Sequence, residues 1–147
     1  MNNTHVAIMR KSWGLTDKIL SGEKKIESRW YLHKSRPWNK IKAGDTIYFK
    51  DSGSLIKIIA KVVQVLQFEN LTPDKVSEIL DKYGKDDGIS SSETDNYFQM
   101  FKDKKYCILV FLKDVESVEP FDIDKKGFGS MSAWITVNDI EKIRKKN

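Results

Sequence analysis

With one cysteine, two histidines and three prolines in 147 residues, the chain lacks the raw material of several protein classes. Cys107 cannot close an internal disulfide, and its place in the apolar run Tyr106 to Leu112 reads as a buried, reduced thiol. His5 and His33 lie far from each other and from Cys107, so no zinc-site spacing exists, and no nucleophile elbow points to a serine triad. No apolar run approaches the roughly 20 residues that cross a bilayer. The first residues lack the basic-then-apolar pattern of a signal peptide, so the expectation is a cytoplasmic protein. Neither a GxGxxG nor a GxxxxGK[ST] phosphate loop occurs, which disfavours the common nucleotide-binding folds. Without repeats, low-complexity tracts or a Pro/Gly-rich linker, residues 1–147 read as a single domain. A monomer without metal or cofactor is expected.

What is present is an ordinary globular composition, 39% apolar and 32% charged, with four tryptophans. The net charge of +5 is unevenly spread. Residues 1–42 hold ten basic against three acidic side chains, whereas residues 69–124 hold seven against fourteen. The acidic middle conceals how basic the N-terminal third is, and such asymmetry suits an anionic partner on one face.

Hydrophobic periodicity and turn chemistry predict strands at His5–Met9, Lys25–Leu32, Thr46–Lys50, Leu55–Phe68 (bent or broken) and Tyr106–Leu112. Val115 to Ile123 reads as an edge strand or an extended loop interrupted by Pro120. Thr16 is placed as the cap of a short helix carrying Leu15, Ile19 and Leu20, with Gly22 as its stop. Thr72-Pro73 starts a helix with Val76, Ile79, Leu80 and Tyr83 on one face. Lys85 to Glu93 reads as a mobile acidic loop. Another short helix carries Tyr97, Phe98 and Phe101, and Asn138 with Glu141 suggests a capping box. Five or six strands with three or four short helices favour an α+β fold, a small twisted barrel with helices inserted around it.

The segment Gly22 to Arg29 runs from a helix stop into a strand. Alternation puts Lys25, Glu27, Arg29 and Tyr31 on one face and Ile26, Ser28 and Trp30 on the other. Glu27 and Arg29 lie roughly 6–7 Å apart at the backbone, close enough to pair. Lys24, at the turn, is a flexible ammonium able to swing over the same face. Arginine offers a planar fork to phosphate or carbonyl groups, and lysine a mobile point charge. The pattern Gly22-x-Lys24-x-x-Glu27-x-Arg29 resembles the GxKxxExR signature of the ASCH (activating-signal-cointegrator homology) domain family, and the order of the flanking elements is similar over most of the chain. The resemblance implies a PUA-like β-barrel with a cleft that binds RNA or a nucleotide, in a family linked to transcription coactivation and RNA metabolism. It also implies a second reading, because some small bacterial members are amidohydrolases that deacetylate acetylated cytidine. There Lys24 would activate the nucleophile or stabilise charge. Their threonine nucleophile, however, is replaced here by Glu27, which leaves a general base on water rather than the threonine route. The matching catalytic glutamate is Glu69 or Glu78, with Glu69 preferred for its place at a strand-to-helix junction.

Two aromatic residues stand among cations: Trp13 after Arg10-Lys11, and Trp38 in the basic loop containing Lys34, Arg36 and Lys40. Bases stack on such rings while phosphates pair with the cations. The expected nucleic-acid contacts are therefore Lys24, Lys25, Glu27, Arg29, Trp13, Arg36, Trp38 and Lys40, with Trp30 in the core. The loop Gly127 to Trp134 either closes over the cleft or turns the chain into its last strand, the simpler reading. Lys142 to Lys146 reads as a solvated basic tail. A third reading makes the acidic region Asp81 to Asp95 a surface for a basic protein partner. Binding of RNA or a nucleotide ranks first.

Overall fold

The computed structural model describes residues 2–129 and 132–146. Its elements are β1 (Thr4–Met9), α1 (Leu15–Ser21), β2 (Ile26–Tyr31), β3 (Thr46–Asp51), β4 (Ile56–Phe68), α2 (Pro73–Tyr83), α3 (Thr94–Phe101), β5 (Tyr106–Phe121) and β6 (Trp134–Val137), with short 3-10 turns at Lys11–Trp13 and Ile140–Lys142. The six strands form one sheet in the order β2-β5-β4-β3-β1-β6, antiparallel throughout except for the parallel β1–β3 pair. The sheet curls into a half-barrel of the α+β, PUA-like kind. No helix among the described residues is long and apolar enough to cross a membrane.

Curvature comes from the two long strands. Three register shifts interrupt the β4–β5 ladder between Ile56 and Gln64, and each extra residue bends and twists a strand locally. Inward positions of β4 keep the period of two, with Ile56, Ile58, Ala60 and Val62 buried. In β5 the unbroken run Cys107 to Val110 is buried on both faces. Ile108 and Val110 join the barrel core with Phe49 and Ile47, while Cys107 and Leu109 pack against Val76, Ile79 and Leu80 of α2. That two-sided cover explains why the sequence shows no alternation there.

Several elements differ from the sequence expectation. The strand from Tyr106 continues to Phe121, so Val115 to Ile123 is not a separate edge strand or loop. Pro120 is tolerated because β2 pairs β5 only along Tyr106 to Phe111 and because it falls in the register shift between Ser117 and Phe121, where the β4–β5 ladder is interrupted. Gly14, not Thr16, caps α1, and the Thr16 hydroxyl instead donates to Asp51 at 3.1 Å. Thr72 does cap α2, accepting from the Lys75 amide, with Pro73 in the first turn. Asp139 rather than Asn138 caps the last 3-10 turn, accepting from the Glu141 amide. The chain enters β6 after the Gly127 loop, of which Ser130 and Met131 lie outside the described residues. The basic tail is not simply solvated either, since Ile143 is buried and Lys145 meets Asp122.

Candidate functional site

The open edges of the half-barrel are β2 and β6, and a cleft of about 280 Å3 lies at this seam. The turn before β2 sets its geometry. Gly22 closes α1 in the left-handed region, φ 85°, and its amide bonds to Ile19 O. Lys24 then turns inward and is almost fully buried, at 2% exposure. Its ammonium donates to Asp87 Oδ1 at 2.5 Å and to the Asp87 carbonyl at 2.8 Å, and stands 3.2 Å from Glu27 Oε1. Three N–H groups and three acceptors leave no spare donor. Lys24 is thus a fixed cation rather than a mobile one.

Glu27, also buried, is bracketed by cations. Arg29 approaches its Oε2 through Nε at 3.1 Å and Nη2 at 2.8 Å. The same guanidinium reaches across the seam to the carbonyls of Ile8 and Ala133, at 3.4 and 3.3 Å, and lies over the Trp134 ring, 5.0 Å from its centroid. Arg29 therefore ties β2 to the β1–β6 edge that it does not pair with. On the other side, Ser28 Oγ donates to Asp87 Oδ2 at 2.6 Å and accepts from Trp30 Nε1 at 3.1 Å. Two cations and two carboxylates make a floor with no net charge. Burial alone would lower the Lys24 pKa, but the Asp87 and Glu27 charges outweigh it, so Lys24 stays an ammonium. Burial raises the Asp87 pKa against the opposing pull of Lys24.

The walls are aromatic. Trp13, Trp30, Tyr31, Tyr97 and Phe101 line the cleft. Trp30 is core as well, stacked on Phe101 at 4.6 Å and 6°. Trp13 is half-buried, braced edge-on by Tyr97 at 5.8 Å and covered by Arg10 at 4.9 Å. A second hollow of similar size, about 290 Å3, has Thr16, Leu20, Phe49 and Leu55 in its lining. Asp17, Lys50, Asp51 and Lys57 line it too, but of these only Lys50 is buried, whereas Lys24, Glu27 and Asp87 are all buried together at the seam.

Of the residues expected at the site, Lys24, Glu27, Arg29 and Trp13 surround this cleft. Lys25 is exposed and outside it. Trp38 packs edge-on against Tyr106 at 5.3 Å and against the barrel core, with Lys34 5.8 Å above it. Its indole is thus spent on packing, away from the cleft. Arg36 borders a shallower adjoining hollow, where its carbonyl accepts from Tyr31 Oη at 2.6 Å. Lys40 is exposed, with its carbonyl accepting from Asn3 Nδ2. Glu69 and Glu78 are both exposed and paired with Lys34 at 3.8 Å and Lys75 at 3.3 Å. Neither lines the cleft.

The carboxylate that does stand there is Asp87, in the stretch read as a mobile acidic loop. That loop is pinned: the Asp86 carbonyl accepts from the Lys25 and Ile26 amides at 2.6 and 2.9 Å, Lys18 Nζ donates to Gly88 O, and Ile89 is buried. Gly88 was the available signal. Its φ is 80°, and a Cβ there would lie 3.1 Å from Lys24 Cβ, a close approach that only glycine allows without displacement.

His5 is likewise not isolated. It is fully buried, with Nε2 2.8 Å from Asp45 Oδ2 and Nδ1 3.0 Å from both Trp134 Nε1 and Thr136 Oγ1. Indole N–H only donates, so Nδ1 accepts and Nε2 carries the proton to Asp45. The ring is therefore neutral, and burial lowers its pKa despite the opposing Asp45. A histidine with a lowered folded pKa contributes stability above its ordinary value of about 6.5 and loses it as pH falls from there. Denaturation midpoints are expected to drop between pH 7 and pH 5 in the wild type and to drop less in His5→Gln. Equal pH dependence in both would show that His5 is not held neutral. Among the described residues, no group of three or more His, Cys, Asp or Glu side chains is placed to hold a metal.

The curled six-stranded sheet with its three helices has a PUA-like architecture. Three solved structures share it: an ASCH protein of Zymomonas mobilis and two single-substitution mutants of it. Each has a TM-score of 0.65 and 16% identity and covers 95% of this chain, and 90%, 93% and 91% of the respective neighbour is matched. The chain has the ASCH fold. No family model and no curated protein matches the sequence.

Proposed function

We propose that the protein is a nucleic-acid-binding module that holds one unstacked nucleobase, or a free nucleoside, in the seam cleft. One observation carries this reading. A cleft of about 280 Å3 combines flat aromatic walls with a rigid, internally neutralised floor of Lys24, Glu27, Arg29 and Asp87. Its volume lies near the roughly 300 Å3 lower end of small-molecule sites, suited to one ring system rather than an extended ligand. A planar base stacks on Trp13 with Tyr97 standing edge-on beside it, while the Arg29 fork and the floor carboxylates offer donors and acceptors to base edges. The basic N-terminal third supplies a favourable field for an anionic strand.

Stacking on one aromatic ring is worth roughly 1–3 kcal/mol. Trp13→Ala is therefore expected to weaken binding of the preferred ribonucleoside about five- to hundredfold by calorimetry, whereas Trp38→Ala leaves it within about twofold. Equal losses in both variants, or no binding of any ribonucleoside or short RNA at low salt, would overturn the reading.

A hydrolytic second reading rests on the Ser28–Asp87 contact at 2.6 Å, which sets a hydroxyl beside a carboxylate in the cleft wall. The binding reading predicts that acetylated cytidine is recovered unchanged. Release of acetate that disappears in Ser28→Ala would instead make the cleft a hydrolase.

A further inference from the structure

Ile8 lines both the cleft and a neighbouring, wider hollow of about 460 Å3. Three lysines from distant parts of the chain converge there: Lys50 at the end of β3, Lys125, and Lys145 near the C-terminus. Lys50 is only 8% exposed, with Nζ 3.9 Å from Asp122 Oδ1. Lys145 stands 3.3 Å from Asp122 Oδ2, and Lys125 donates to Ser132 O at 3.0 Å.

The opposing carboxylates are Asp122 and Asp124, both already engaged with backbone. Asp122 Oδ1 accepts from the Ile123 amide and Asp124 Oδ1 from the Lys126 amide, each at 2.9 Å. Among the described residues, the lining has three lysines and two aspartates. The rim is the turn between β3 and β4, where Ser52 and Ser54 flank Gly53 with open space beside it. Burial lowers the Lys50 pKa, and Lys125 and Lys145 add to the lowering against the pull of Asp122. Such a field favours an incoming anion.

We propose that this hollow is a phosphate subsite for single-stranded nucleic acid, receiving a backbone phosphate of the strand whose base occupies the cleft. The identity of the strand rests on the reading above. The charge on Lys50, Lys125 and Lys145 does not. Phosphate contacts fix a strand's position without reading its sequence, so the subsite supplies affinity and register while the cleft selects the base.

The test uses three probes: cytidine, a cytidine ribo-octamer, and a base-free sugar–phosphate octamer. The full chain is compared with Lys125→Gln/Lys145→Gln, which spares the buried Lys50. Affinity for both octamers is expected to fall about two- to fivefold per lysine. The slope of log K against log salt should shrink by about 0.7 per lysine for a single strand. Nucleoside affinity should stay unchanged. Octamer affinities and salt slopes equal to wild type would overturn the subsite even if the nucleoside binds. If no nucleoside binds but the base-free octamer binds and is lost in the double variant, the subsite stands and the base-binding reading fails. Binding of neither octamer by the wild type would overturn the subsite outright.

Discussion

Lys24→Met is expected to destabilise the fold by about 3–5 kcal/mol, because it leaves two buried carboxylates without their shared cation. Methionine fills most of the lysine stem's volume, so the effect measures lost charge and hydrogen bonds rather than a cavity. The Lys24 ammonium also helps to hold the Asp87 loop to the start of β2, through the Asp87 carbonyl at 2.8 Å, beside the Asp86 backbone bonds. Guanidinium denaturation of the two proteins gives the difference directly. The compensating variant Lys24→Met/Asp87→Leu should recover part of the loss, since a buried ion pair and an apolar pair of similar volume are often close in stability. A single-variant cost below about 1 kcal/mol would contradict the burial of this ammonium.

The second large effect belongs to Arg29. Its fork holds Glu27 at two nitrogens, and the same group bonds the carbonyls of Ile8 and Ala133 across the seam. Arg29→Gln removes the cation from one side of Glu27 and loosens both edges of the cleft. Bonds to charged groups are each worth about 1.5–3 kcal/mol, so nucleoside affinity is expected to drop at least about tenfold. Arg29→Lys should not restore it, because a point charge cannot span Glu27 and two carbonyls at once. Calorimetric titration of both variants tests this, and rescue by lysine would show that charge alone matters there.

Local chemistry made much of the fold legible. Thr72-Pro73 and Gly22 punctuate helices by mechanisms confined to a few residues, and the structure places helix boundaries at both. The long β4 and the apolar run from Tyr106 were readable from β-branched and aromatic content. The length of β5 was not, because Pro120 signals a break unless the register shift around it is known. The site was legible only along the chain. Lys24, Glu27 and Arg29 lie within one turn-to-strand segment, and their spacing implies proximity. Asp87 comes from 63 residues away, and its loop looks mobile by composition because nothing local reveals that Lys24 will hold it. The two tryptophans set among cations illustrate the same limit. Trp13 and Trp38 have similar neighbours in sequence, yet one faces the cleft and the other packs on Tyr106. His5 joins Asp45 and Trp134 across 40 and 129 residues, which no spacing rule anticipates.

The central claim, a base held against Trp13 at the seam, is most directly tested by following the four indole N–H resonances during titration with the preferred ribonucleoside. The Trp13 resonance is expected to move with the binding isotherm while that of Trp38 stays in place. Movement of Trp38 with Trp13 unchanged would put the ligand elsewhere and contradict the account.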